Sequence, residues 1–219
     1  MTTTLILDLD GTILDTLDDL TAGVNHALEV HGFAPHSRDN VRGFVGDGVK
    51  NLCLRALRAD GIEPSEELVQ QVLADFKTYY GEHGLDCTRP YDGILPFLEE
   101  CRHRGLKVGV VSNKHDAMVK TLCAHFVGDL ITVARGEDMA HGIPKKPDPA
   151  GVFLALKELG SRPEEAVYIG DSDQDIMTAR NAGLPCISVT WGFRSESFLR
   201  EHGATLLCRE PSGIFSLLP

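Results

Sequence analysis

The sequence predicts an α/β protein: a parallel sheet with helices on both faces, interrupted early in the chain by an all-helical insertion. Three observations carry this. An apolar run from Thr4 to Leu9 ends at Asp8-Leu9-Asp10-Gly11-Thr12, and a buried strand cut off so early needs partners from elsewhere in the chain. Residues 15–80 then place apolar side chains at helical spacing, such as Leu17, Leu20, Val24 and Leu28, and later Leu68, Val72 and Phe76, with no convincing strand. From Pro90 onward strand and helix patterns alternate, the signature of parallel strands joined by crossover helices.

Taken in order, Gly93 to Arg104 reads as a helix, Lys107 to Ser112 as a strand, His115 to His125 as a helix and Leu130 to Val133 as a strand. Asp148 and Pro149 look like an N-cap with proline at the first helical position, and the helix they open stops at Gly160. Ala166 to Gly170 is a strand, Asp173 to Ala182 a helix ended by Gly183, and Cys186 to Thr190 a strand. Since the first strand must pair with this later region, the core is discontinuous: residues 1–14 and 89–219, with a helical cap domain at 15–88. The hinges are expected near Leu14 and around Asp86 to Tyr91.

Composition narrows the function classes. The chain has 219 residues, 42% hydrophobic and 24% charged, as in ordinary globular proteins, and no apolar run long enough to span a bilayer. A net charge of -11 argues against nucleic acid, whose binding rests on Lys and Arg neutralising phosphates. The six cysteines include no C-x-x-C pair, and the nine histidines show no metal-ligand spacing. With no basic n-region or cleavage-site pattern at the N-terminus, a cytoplasmic protein with reduced thiols is expected. No membrane or nucleic-acid partner is expected, and monomer and homodimer both stay open.

The chemistry is expected at the carboxyl ends of the strands, where open parallel sheets bind ligands. Asp8 and Asp10 stand at i and i+2 of the first strand and so start on one face, where two carboxylates repel unless one is protonated or a cation screens them. A second strand ends at Ser112-Asn113, and a third at Gly170-Asp171-Ser172, followed by Asp175. Lys145-Lys146 lies in a loop stiffened by Pro144, Pro147 and Pro149. So many acids call for a cation, and Mg2+, which takes hard oxygen ligands and works beside phosphate, is the natural choice. Several residues have plainer readings: Asp173 as a helix N-cap, Asp18 and Asp19 as acids favoured by a helix dipole, and Lys50 as a surface or substrate-recognition residue. Gly46-Asp47-Gly48 is too short for a nucleotide fingerprint.

The ordered set Asp8-Leu9-Asp10-Gly11-Thr12, Ser112-Asn113, Lys146-Pro147-Asp148-Pro149 and Gly170-Asp171-Ser172-Asp173-Gln174-Asp175 resembles the four motifs of the haloacid dehalogenase superfamily. The helical insertion after the first motif resembles that superfamily's C1-type cap on a Rossmann-like core. The resemblance implies Asp8 as a nucleophile that becomes an aspartyl phosphate, and Asp10 as general acid and then base. It implies Mg2+ held by the Asp8 and Asp171 side chains and the Asp10 carbonyl, with Asp175 orienting the metal's waters. Ser112 and Lys146 would hold the phosphoryl oxygens, with Thr12 and the N–H groups around Gly11 and Asn113 completing the cradle.

Softer likenesses, Val45 to Leu52 with Arg55-Ala56-Leu57, Pro90-Tyr91-Asp92-Gly93 and Trp191-Gly192-Phe193-Arg194, point to the phosphoglycolate phosphatase group within the superfamily. The expected function is therefore hydrolysis of a small phosphorylated metabolite, 2-phosphoglycolate first. Pyrophosphatase, sugar- or nucleotide-phosphatase and β-phosphoglucomutase-like activities are alternatives of the same chemistry, and a non-catalytic binding module is the alternative from another class.

Overall fold

A computed structural model describes residues 1–219. The chain forms two units, Met1–Leu14 with Pro90–Pro219, and Asp15–Arg89, so the second crossing falls one residue later than the sequence places it. The first strand, β1 (Thr4–Leu7), is followed by a tight loop and by β2 (Leu14–Asp15).

In the helical unit, α1 (Leu17–Val30), α2 (Arg38–Phe44), α3 (Gly48–Ala59) and α4 (Glu66–His83) follow one another before β3 (Arg89–Pro90) returns the chain. The stripe Leu17, Leu20, Val24, Leu28 is buried as its spacing predicts. On α4 the buried face runs through Val69, Val72, Leu73 and Phe76, so Leu68 sits at its edge, only half-buried. Ser37 and Ser65 cap α2 and α4, accepting from the N–H groups of Asn40 and Leu68.

Asp19 is more than a first-turn acid. It is 3% exposed and accepts from the N–H groups of Cys87 at 2.9 Å and Thr88 at 2.8 Å, and from the Thr88 hydroxyl at 2.7 Å. It thereby supplies partners to the returning chain, including the N–H and hydroxyl of the buried Thr88. Lys50 forms an exposed pair with Glu66. Asp47 is held by Asn51 and Arg55, which orders the loop that opens α3.

The other unit continues with α5 (Ile94–His103), β4 (Lys107–His115), α6 (Asp116–Phe126), β5 (Val133–Glu137), α7 (Ala150–Glu158) and β6 (Ala166–Gly170). Then come α8 (Asp173–Ala182), β7 (Cys186–Val189), α9 (Glu196–Glu201), β8 (Leu206–Cys208) and α10 (Ile214–Leu217). Six strands form one sheet in the order β5-β4-β1-β6-β7-β8, with every pairing parallel. β1 lies at the centre, flanked by β4 and β6, and all four of its residues are buried, which is why it reads as an unbroken apolar run.

Three readings of this unit need correction. The strand expected at Leu130 to Val133 is instead Val133–Glu137: it is an edge strand, and its partly exposed Arg135, paired with Glu158, disguises it as loop. The residue flanking α7 is Pro149, although the Asp148 carboxylate does accept from the Ala150 N–H at 2.8 Å. The N-cap of α8 is Ser172 and not Asp173, because Ser172 and Asp175 exchange side-chain and backbone hydrogen bonds as a capping box.

Candidate active site

The acids gather where β1 and β6 end beside β4. Asp8 lies just past β1, and its N–H still donates to the Ile169 carbonyl at 2.9 Å, so the sheet itself delivers the carboxylate. The chain then curls tightly, with the Leu9 carbonyl accepting from the N–H groups of Ile13 and Leu14, each at 3.0 Å. Gly11 sits at φ 84°, and a Cβ there would collide with the Asp171 carboxylate, so both backbone and space demand glycine.

Asp171 and Asp175 come from the turn between β6 and α8. Asp171 is 2% exposed and is confined between Gly11 and Gly192, where a side chain on either would strike it. The Phe193 N–H donates to its Oδ2 at 2.6 Å, and the Thr12 hydroxyl lies 3.5 Å from its Oδ1. Trp191 ties the same loop to the first motif, its Nε1 donating to the Thr12 carbonyl at 3.0 Å. The stretch Trp191-Gly192-Phe193 is thus a brace for Asp171.

Asp175 has both oxygens occupied. Oδ1 accepts from Lys146 Nζ at 2.7 Å and from the Tyr168 hydroxyl at 3.1 Å; Oδ2 accepts from the Ser172 N–H at 3.0 Å and its hydroxyl at 2.6 Å. Lys146 also reaches Asp8 Oδ1 at 2.8 Å with its side chain 3% exposed, so one buried ammonium bridges two carboxylates. The Asn113 side chain holds that lysine's backbone: its Oδ1 accepts from the Lys146 N–H at 2.7 Å, and its Nδ2 donates to the Lys146 carbonyl at 3.4 Å. Ser112 is buried, its hydroxyl accepting from the Lys114 N–H at 3.3 Å.

Asp10 is paired with a residue that the sequence reading did not single out. Its Oδ1 lies 3.2 Å from Lys114 Nζ. The charges that act on Asp8 are those of Asp175, Lys146 and Asp171. Burial, reinforced by the Asp175 carboxylate, pushes the Asp8 carboxyl well above the usual range, against the pull of Lys146. The same two causes raise Asp171 to about 7. Burial lowers the Lys146 pKa, but the carboxylates of Asp175 and Asp8 outweigh it and hold it above its ordinary value.

Oxygens of Asp8, Asp171 and Asp175 lie within 4.8 Å of one another, close enough for one metal ion. The donor set is all oxygen, which suits a hard divalent cation. The carboxyl groups of Asp8, Asp10, Asp171 and Asp175 outnumber the cations beside them, Lys114, Lys146 and Arg194, an excess that a divalent cation would offset. Since the oxygens of Asp175 already carry four hydrogen bonds, Asp8 and Asp171 are the carboxylates best able to bind it.

Sequence reasoning missed Tyr168 and Lys114, and it singled out Trp191-Gly192-Phe193 without its role beside Asp171. Tyr168 had a signal: a phenol in the apolar strand Ala166–Gly170 must find a buried partner, here Asp175 and the Val111 carbonyl. Lys114 had none, because the register of β4 against β5 shifts between Val111 and His115, and seven successive residues, Val108 to Lys114, are buried.

Comparison with known proteins bears on the family and the fold. Residues 5–189 match the model of the haloacid dehalogenase-like hydrolases. The chain is 33% identical over 209 residues to phosphoglycolate phosphatase 1 of Pseudomonas aeruginosa, covering 92% of this chain and 74% of that protein. It is also 33% identical over 197 residues to a phosphoglycolate phosphatase of Yersinia pseudotuberculosis, covering 89% and 84%. Among solved structures, a candidate phosphoglycolate phosphatase from Lactobacillus delbrueckii subsp. bulgaricus superposes with a TM-score of 0.93 at 36% identity, over 99% of this chain and 98% of that one. A fold, a site at the strand ends and a family match spanning most of the chain lead to one assignment: this protein belongs to the haloacid dehalogenase-like hydrolase family.

Proposed function

We propose that the chain is a magnesium-dependent phosphomonoester hydrolase that works through an aspartyl phosphate on Asp8, with 2-phosphoglycolate as its substrate. The observation that carries the chemistry is the Lys146 ammonium bridging Asp8 and Asp175 beside Asp171. A carboxylate nucleophile in a water-poor site is drawn toward its ionised form by a fixed cation, and Lys146 pulls Asp8 that way against burial and the Asp175 carboxylate. The substrate reading is supported by the phosphoglycolate phosphatases that resemble this chain over most of its length.

In the first half-reaction an Asp8 oxygen bonds to phosphorus while the bond from phosphorus to the substrate's ester oxygen breaks, and Asp10 gives that oxygen a proton. In the second half-reaction water attacks the phosphorus of the aspartyl phosphate, Asp10 takes the water's proton, and the bond to Asp8 breaks to release inorganic phosphate. Asp8, Asp171 and the Asp10 carbonyl would hold the magnesium ion, which would supply charge neutralisation for the phosphoryl oxygens. Lys146 faces the same charge from the other side. Thr12 and Asn113 act through their neighbours, Thr12 beside Asp171 and Asn113 on the Lys146 backbone, leaving the phosphoryl contacts to Lys146, the Ser112 hydroxyl and nearby N–H groups.

The test is phosphate release, with and without magnesium, from 2-phosphoglycolate, pyrophosphate, hexose phosphates, nucleotides and an activated aryl phosphate. Magnesium-dependent turnover that favours 2-phosphoglycolate is expected. A stronger preference for another compound overturns the substrate, and no turnover of any compound overturns the enzyme.

The raised Asp171 predicts a pH effect on the metal-free protein. A carboxyl whose folded pKa is about 7, against about 3.9 unfolded, binds its proton more tightly when folded. Its contribution therefore favours the folded state below the unfolded value and turns unfavourable as pH rises from about 4 to 7. In chelator, wild type should lose stability over that window relative to Asp171→Asn. Added magnesium should stabilise wild type at neutral pH, by about 2.7 kcal/mol at a hundred times its Kd, and leave Asp171→Asn unchanged. An equal magnesium response in the two proteins would remove Asp171 as a ligand.

A further inference from the structure

We infer that Lys114 is a positioning residue for Asp10: its ammonium fixes the acid–base carboxylate in place for proton transfer to the leaving group. The inference rests on Asp10 serving as acid and base, and goes beyond it to the residue that aims the carboxylate. The two lysines of the site divide the work. Lys146 bridges Asp8 and Asp175, whereas Lys114 Nζ lies 3.2 Å from Asp10 Oδ1. The pair is well shielded, with side chains 5% and 15% exposed, so the contact is neither screened nor loosened as a surface ion pair would be.

The fold holds Lys114 from several directions. Its N–H donates to the Ser112 hydroxyl, and it lies within the segment where β4 shifts register against β5. Two residues on, the buried Asp116 carboxylate accepts from the Gly136 N–H at 3.0 Å, pinning the end of β4 to β5. Asp10 lies outside the sheet, in the tight loop between β1 and β2, and is bridged to Leu14. A carboxylate carried on that tight loop is thus paired with a cation carried on the sheet. Misplacement of a proton donor by about 1 Å can cost on the order of a hundredfold in rate.

The discriminating measurement is kcat/KM for Lys114→Met, Asp10→Asn and the double variant, each on 2-phosphoglycolate and on 4-nitrophenyl phosphate, with Lys114→Arg alongside. An alkoxide leaving group needs the proton and a nitrophenolate barely does. Lys114→Met should therefore lose about 30- to 100-fold on 2-phosphoglycolate and less than about 5-fold on the aryl ester. Adding it to Asp10→Asn should cost little more, since both act through one group. Lys114→Arg, which keeps the charge, should recover part of the loss.

Equal losses on both substrates, or fully additive losses in the double variant, would overturn the inference. So would a rise in KM confined to 2-phosphoglycolate, which would make Lys114 a contact to the substrate's own carboxylate. Wild-type-like rates in Lys114→Met with a crippled Asp10→Asn would remove Lys114 and leave Asp10 standing, whereas wild-type-like rates in Asp10→Asn would remove both. Thermal melts show whether Lys114→Met folds, and if it does not, Lys114→Gln replaces it in the same comparison.

Discussion

Replacing Asp8 with asparagine should abolish turnover, by roughly 10⁴-fold or more, while leaving the protein folded. The amide keeps the shape of the side chain and loses the nucleophilic oxygen. Its effect on stability should be small or favourable, because burial and the Asp175 carboxylate already hold the wild-type carboxyl well above its usual range, so its charge is costly in the absence of metal. Lys146 keeps a partner in Asp175 at 2.7 Å and is not stranded. A melting temperature in chelator equal to or above wild type, with phosphate release at background, is the expected pair of results. Substantial residual activity with magnesium present would remove Asp8 as nucleophile.

Lys146→Met should be the most damaging change to the fold. It removes the cation from between Asp8 and Asp175, which are 6% and 0% exposed, and breaking a buried pair from one side costs about 3–5 kcal/mol. Urea unfolding of the variant should show that loss. Adding Asp175→Asn to Lys146→Met should recover part of it by removing one stranded charge, whereas Asp175→Asn alone should destabilise. Turnover should collapse in every variant lacking the lysine, because Asp8 then ionises less readily. A Lys146→Met protein as stable as wild type would show that the bridge contributes nothing to folding.

How much of this was legible in the sequence depends on what each residue's signal was. The central strand was plain because a strand paired on both sides buries both faces, which leaves Leu5, Ile6 and Leu7 without polar interruption. The helices with capping or stopping residues were plain as well, such as α5 after Gly93 and α8 before Gly183. β5 was misplaced because an edge strand tolerates Arg135 and Glu137, and β8 and the helices around it, with three- to six-residue lengths, were too short to show a period.

Within the site, the acids could be named from their positions at strand ends, but their pairings could not. The i, i+2 argument placed Asp8 and Asp10 on one face of a strand, but β1 stops at Leu7, and nothing in the spacing pointed to Lys114 as a partner of Asp10. Which carboxylates crowd Asp8 was settled by tertiary packing, in which Gly11 and Gly192 let two loops close on Asp171. Backbone approach of this kind leaves only a glycine in the sequence, and glycines are common.

The most direct measurement is an acid quench of wild type during turnover of ³²P-labelled substrate with magnesium, followed by peptide mapping. Label on the peptide holding Asp8, labile to hydroxylamine, formed at least as fast as phosphate is released and absent from Asp8→Asn, is the expected result. Phosphate release with no label at Asp8, or with label on another residue, would contradict covalent catalysis by this carboxylate.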